Sequence, residues 1–162
     1  MTVAYLGADI FDGATRHASS ALVAEGGRVA AIVPPSELGP DVATVRLDGG
    51  LLAPGFVDIQ VNGGGGVLFN EAPDVEGIRA ICAAHARFGS TALLPTVITD
   101  RPEVTFAAIE AVEAAMQGGV PGCAGVHVEG PFLSVARKGA HDPTLIRRMN
   151  DADLEALCAS RV

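Results

Sequence analysis

From Leu51 to the end of the chain, apolar runs alternate with amphipathic segments, and that alternation allows few folds. Leu52 to Val61 is a nearly continuous apolar run, the pattern of a strand covered on both faces. Asp74 is placed to cap a helix whose inward positions Val75, Ile78, Ile81, Cys82, His85 and Phe88 recur every three or four residues, with Gly89 as its stop. Thr91 to Ile98 reads as a second strand. Pro95 within it marks a bulge or strand end, because proline lacks the N–H that a central strand needs. Asp100, Pro102 and Glu103 open a second helix, with Val104, Ala108, Ala111, Val112 and Ala115 on one face and Gly118-Gly119 at its close. Cys123 to Val128 reads as a third strand. Asn150 caps a third helix, carrying Leu154, Leu157 and Cys158, that runs to the last residue. Strands separated by helices predict a parallel sheet with right-handed crossovers.

The expected fold class is therefore α/β. Residues 51–162 read as the first three units of a (β/α)8 barrel of the TIM type, and residues 1–50 as part of a small β-sandwich. In the latter, Val3–Leu6, Ala21–Ala24, Arg28–Val33 and Thr44–Leu47 are the strands. Glu25-Gly26-Gly27 is a three-residue hairpin turn and Pro34-Pro35 a stop. A complete barrel has eight units and about 250 residues. The 162-residue chain thus reads as the front of a larger protein, an incomplete fold with an unpaired strand edge.

Composition narrows the partners. The net charge of -8 argues against a nucleic-acid surface, which needs clustered Lys and Arg. No run reaches the ~18 apolar residues of a membrane helix, and no basic flank precedes an apolar core at the N-terminus. Cys82, Cys123 and Cys158 are far apart and form no CxxC pair, so neither a zinc knuckle nor a disulfide framework is supported. A reducing cytoplasm is the expected setting.

Chemistry concentrates at two strand ends. In Pro54-Gly-Phe-Val-Asp-Ile-Gln60-Val-Asn62-Gly63 and Gly125-Val-His127-Val-Glu129-Gly-Pro-Phe-Leu133, polar residues stand two apart, so each pair projects from one face. In a parallel barrel those ends carry the active site. Glu129 is the metal-binding candidate, since a strand-end carboxylate is costly if dry and unpaired. Gln60 and Asn62 are near-site residues, because neutral amides are poor zinc ligands. His127 shares a face with Glu129 and looks like a second candidate ligand. Gly63 to Gly66 lacks the phosphate-cradle pattern G-x-x-x-x-G-K-[ST] and reads as a tight loop. His17 and His85 have no motif around them, one expected at the surface and one on a helix face.

Four segments together carry a resemblance: residues 54–66, Leu94-Pro-Thr-Val-Ile-Thr99, His127-Val-Glu-Gly-Pro-Phe-Leu133 and Lys138-Gly-Ala-His-Asp-Pro143. In that order they resemble the N-acetylglucosamine-6-phosphate deacetylases of the amidohydrolase superfamily. The resemblance implies a barrel with a β-sandwich built from both chain ends, usually a homodimer. It also implies a divalent metal, commonly zinc with iron or manganese as alternatives, and hydrolysis of N-acetylglucosamine 6-phosphate to glucosamine 6-phosphate and acetate. It assigns Glu129 to the metal and Ala140 with His141 to the substrate, and makes His127, with Gln60 and Asn62, a near-site neighbour and not a ligand. The general base, an aspartate on a later strand, and two histidine ligands are then expected beyond Val162, so no catalytic residue is expected in this chain and the chain alone is expected to be inactive. A carboxylated lysine bridging two metals is disfavoured, since the sole lysine, Lys138, lies in a loop. A non-catalytic fragment or partner-dependent module is the alternative. Another amidohydrolase, such as a dihydroorotase, is a third reading that Gln60-x-Asn62 weighs against.

Overall fold

The computed structural model describes residues 1–162. The chain forms two units, Met1–Pro54 and Gly55–Val162.

In the first unit, β1 (Thr2–Leu6) is central, with β4 (Ala21–Glu25) antiparallel on one side and β6 (Ala43–Arg46) parallel on the other. β5 (Arg28–Val33) lies outside β4, which gives the order β5-β4-β1-β6. A second small sheet pairs β3 (Arg16–His17), β2 (Asp9–Phe11) and β7 (Leu51–Leu52) in the order β3-β2-β7. The β4–β5 hairpin is tighter than its sequence suggests. Glu25 pairs with Arg28, leaving a two-residue loop of Gly26 and Gly27 at φ 58° and 79°. Two successive positive φ angles match the twist of the flanking strands, and glycine supplies them without a Cβ clash. Ala4, Ile10 and Ala21 are buried.

The expected strand from Leu52 to Val61 is divided. Leu51 and Leu52 pair with β2, and β8 spans only Phe56–Val61. Pro54, lying between them, has no N–H for a ladder. Nor is β8 covered on both faces: Phe56, Val57 and Ile59 are each about two-thirds exposed.

The second unit continues with the hairpin β9 (Gly63–Gly64) and β10 (Val67–Leu68), then α1 (Val75–Ala86) and β11 (Ser90–Ile98). After these come α2 (Pro102–Gln117), β12 (His127–Glu129) and α3 (Asp151–Ala159). The parallel strands lie in the order β12-β11-β8. This is a mixed α/β arrangement with parallel strands and intervening helices, as expected, but its three strands do not close into a barrel. Ile78, Ile81 and Cys82 of α1 and Ala108, Val112 and Ala115 of α2 share one core with Val61, Phe69, Leu93 and Val97. Full burial of each larger aliphatic side chain contributes roughly 1.5–3 kcal/mol.

Local signals were uneven. Asp74 caps α1 as expected, accepting from the Gly77 amide at 2.8 Å. Asp100 does not cap α2. Pro102 occupies the first turn, which makes Arg101 the N-cap, and Asp100 Oδ1 accepts instead from the Arg101 amide. α3 begins with a reciprocal capping box between Asn150 and Asp153 but stops at Ala159, short of the last residue. The third strand is shorter and later than Cys123–Val128, with Cys123 retained only as a single bridge to Leu93. Pro95 coincides with a register shift between β8 and β11. No helix is long and apolar enough to cross a membrane.

Candidate functional site

The parallel register aligns the C-terminal ends of the three strands: Pro95 opposite Val61, Thr96 opposite His127 and Ile98 opposite Glu129. Side chains from β8, β12 and the loop after β12 meet there. Gln60 Nε2 donates to Glu129 Oε2 at 2.8 Å. His141 Nε2 lies 3.4 Å from Glu129 Oε1. The other ring nitrogen of His141, Nδ1, is 2.8 Å from Thr99 Oγ1. The Glu129 side chain is 31% exposed and that of His141 only 11%, so the carboxylate keeps an open side while the imidazole is walled in.

Residues just behind hold these strand ends in place. Thr96 Oγ1 accepts from the Val61 amide at 2.8 Å, standing in for a ladder partner beside Pro95, and lies 3.3 Å from His127 Nδ1. The Asn70 side chain brackets Ile98: its Oδ1 accepts from the Ile98 amide at 3.0 Å and its Nδ2 donates to the Ile98 carbonyl at 3.2 Å. The same Nδ2 reaches Asp100 Oδ2 at 2.9 Å. The loop after β8 closes when the Phe69 amide donates to the Asn62 carbonyl at 2.9 Å.

The structure thus brings Gln60, Glu129 and His141 together. His127 sits behind them against Thr96, Asn62 takes part through its carbonyl, and Ala140 is exposed in the loop beside His141. Lys138 turns back on its own loop, donating to the carbonyls of Gly139 and His141. Sequence reasoning missed Thr99, Thr96 and Asn70. Thr99 lay inside a quoted segment, but nothing in a lone threonine says that its hydroxyl meets a histidine 42 residues away. His85 was also undervalued, since its Nε2 is 3.0 Å from the Gly63 carbonyl and ties α1 to the loop after β8. His17 pairs with Asp12 at 2.8 Å. That hydrogen bond, with the amides of Thr15 and Ala14, holds the Asp12 carboxyl down at about 2.

Burial disfavours the thiolate form at both Cys82 and Cys123. Burial, reinforced by nearby Cys123, pushes Cys82 up to about 11, and burial also raises Cys123.

A divalent metal needs more than this cluster offers. Zinc takes about four donors. No three His, Cys, Asp or Glu side chains of the chain converge. Glu129 and His141 are two, and Gln60 turns its N–H toward the carboxylate. The residues present do not by themselves fit the metal.

No family model matches the chain. Among curated proteins, it is 51% identical over 108 residues to N-acetylgalactosamine-6-phosphate deacetylase of Shewanella sp. (strain ANA-3), covering 67% of this chain and 27% of that protein. It is 34% identical over 138 residues to N-acetylglucosamine-6-phosphate deacetylase of Haemophilus influenzae, covering 85% and 36%. Among solved structures, the N-acetylglucosamine-6-phosphate deacetylase of Pasteurella multocida superposes with a TM-score of 0.93 at 32% identity, over 98% of this chain and 42% of that one. A variant of the Mycobacterium smegmatis deacetylase in complex with N-acetyl-D-glucosamine-6-phosphate gives 0.78 at 28% identity, over 96% and 39%. The chain therefore spans roughly a quarter to two-fifths of the length of the relatives it matches. Over that part, it belongs to the family of N-acetylglucosamine-6-phosphate and N-acetylgalactosamine-6-phosphate deacetylases.

Proposed function

We propose that this chain supplies part of the active site of an amidohydrolase that removes the N-acetyl group from an amino-sugar 6-phosphate. N-acetylglucosamine 6-phosphate is the substrate in this reading, and the products are glucosamine 6-phosphate and acetate. Residues 51–162 are then part of a metal-dependent hydrolase barrel and residues 1–50 part of a β-sandwich, in a cytoplasmic enzyme of amino-sugar catabolism that acts as a homodimer. The observation that carries the reading is the convergence of Gln60, Glu129 and His141 at the ends of parallel strands.

Glu129 would offer one oxygen donor to a divalent cation, with zinc preferred and iron or manganese as alternatives, but this cluster alone would not complete its sphere. Such a cation, once bound, would polarise the amide carbonyl. Gln60 restrains the carboxylate from one side. His141, with Ala140, faces the substrate. Asn62 and His127 shape the wall behind. One carboxylate does not make a tetrahedral or octahedral cation site. The 162-residue chain is accordingly inactive alone.

A second sugar has its own support. The 51% identity is to a protein named for N-acetylgalactosamine 6-phosphate. The test uses both compounds. Acetate release by the purified chain, with and without zinc, should be absent for each. Adding either sugar phosphate to labelled chain should shift the signals of Gln60, Glu129 and His141. Robust turnover would overturn the incomplete-site reading, and shifts confined to other residues would overturn the site itself.

A further inference from the structure

Thr99 is buried, 5% exposed, one position past the end of β11, and the hydrogen-bond partner of its hydroxyl is His141 Nδ1 at 2.8 Å. A threonine hydroxyl carries one proton and must give it to an acceptor when buried. If Nδ1 held the ring proton, the Thr99 oxygen could accept it, but the hydroxyl's own proton would then be buried without an acceptor. Donation from Thr99 to an unprotonated Nδ1 satisfies both groups. The ring proton of a neutral imidazole then sits on Nε2, the atom 3.4 Å from Glu129 Oε1.

The neighbouring threonine–histidine pair lacks this constraint. Thr96 Oγ1 lies 3.3 Å from His127 Nδ1, but it also has the Leu94 carbonyl at 3.3 Å as an acceptor. Its proton has two places to go, so His127 is not forced into either form. The Thr99 contact, by contrast, depends on a glycine. A Cβ on Gly130 would stand 2.1 Å from Thr99 Oγ1, so the glycine after Glu129 leaves room for the hydroxyl where it meets the ring.

We propose that Thr99 is a positioning residue that fixes His141 as its Nε2–H tautomer. His141 thereby presents a hydrogen-bond donor, not a lone pair, to Glu129 and to the open side of the site. It adds no ligand to a cation as long as Thr99 holds its other nitrogen. The inference rests on the reading of this cluster as part of a substrate site. Its readout is the imidazole itself, so it can fail while that reading stands, and the sugar-phosphate shifts can fail while the tautomer holds.

The test is nitrogen-15 NMR of the ring nitrogens in the full 162-residue chain, at a pH well above the ordinary imidazole range. His141→Gln identifies the signals. Wild type and Thr99→Ser should show a protonated Nε2 and a bare Nδ1. Thr99→Val keeps the shape and removes the hydroxyl, and should lose that single pattern in favour of a mixture of tautomers. A wild-type signal with the proton on Nδ1, in either the other tautomer or a doubly protonated ring, overturns the proposal. So does a folded Thr99→Val with an unchanged pattern. Should Thr99→Val not fold, the wild-type and Thr99→Ser spectra alone decide.

Discussion

Gln60 and Glu129, 69 residues apart in sequence, are joined by a 2.8 Å hydrogen bond from the amide of one to the carboxylate of the other. Gln60→Glu therefore sets two carboxylates against each other in a partly solvated place. The expected cost is about 1 kcal/mol at neutral pH and low salt, falling as salt is added. Chemical denaturation measures it. Pairing Gln60→Glu with Glu129→Gln restores one donor and one acceptor and should recover most of the loss.

Gly130→Ala should be the most disruptive single change at the site. Its φ is 95°, and the added methyl would meet Thr99 Oγ1 at 2.1 Å. Backbone strain and overpacking together predict a loss of roughly 3 kcal/mol or more, read as a fall in the denaturation midpoint.

Thr105 on α2 is buried and its Oγ1 has no hydrogen-bond partner. Replacing it with valine keeps the shape and removes an unpaired hydroxyl. Thr105→Val should raise stability by about 1 kcal/mol, and a lower melting temperature would contradict this.

Asp153 anchors the start of α3. The Arg147 guanidinium hydrogen-bonds it first and the Asn150 amide next, bringing its carboxyl from an ordinary 3.8 to about 2. A carboxyl depressed in the folded state stabilises fully above its ordinary value and loses that contribution as pH falls through the depressed one. Amide exchange of Leu154 and Leu157 should therefore accelerate as pH falls from about 4 to about 2, beyond its intrinsic pH dependence. Asp153→Asn should flatten that response.

Phe56, Val57 and Ile59 are 68, 68 and 67% exposed on β8, which pairs only with β11. An apolar strand on a sheet edge is a template for association. Ile59→Lys should change unfolding free energy by no more than about 0.5 kcal/mol while reducing concentration-dependent light scattering.

Helical periodicity made α1, α2 and α3 legible from sequence, because burial against a sheet demands it. Strand ends were harder. Pro54 divided a run that hydrophobicity joined, and Pro102 moved the α2 cap off Asp100. At the site, the two-residue spacing pointed to Gln60 and Glu129, and the family resemblance to His141. Thr99 and Asn70 act through partners 42 and 28 residues away, and no local pattern encodes such pairings.

Asn70 makes one more point about how β11 is finished. A primary amide offers an acceptor and a donor side by side, as a peptide group does, and Ile98 is met by both. The side chain works as a one-residue splice that extends the sheet where β8 has already turned away. A carboxylate at this position would match only the Ile98 amide and would confront its carbonyl and Asp100. The chemistry of residue 70 thus determines whether the main chain leaves the sheet at Thr99 along a fixed course or a frayed one.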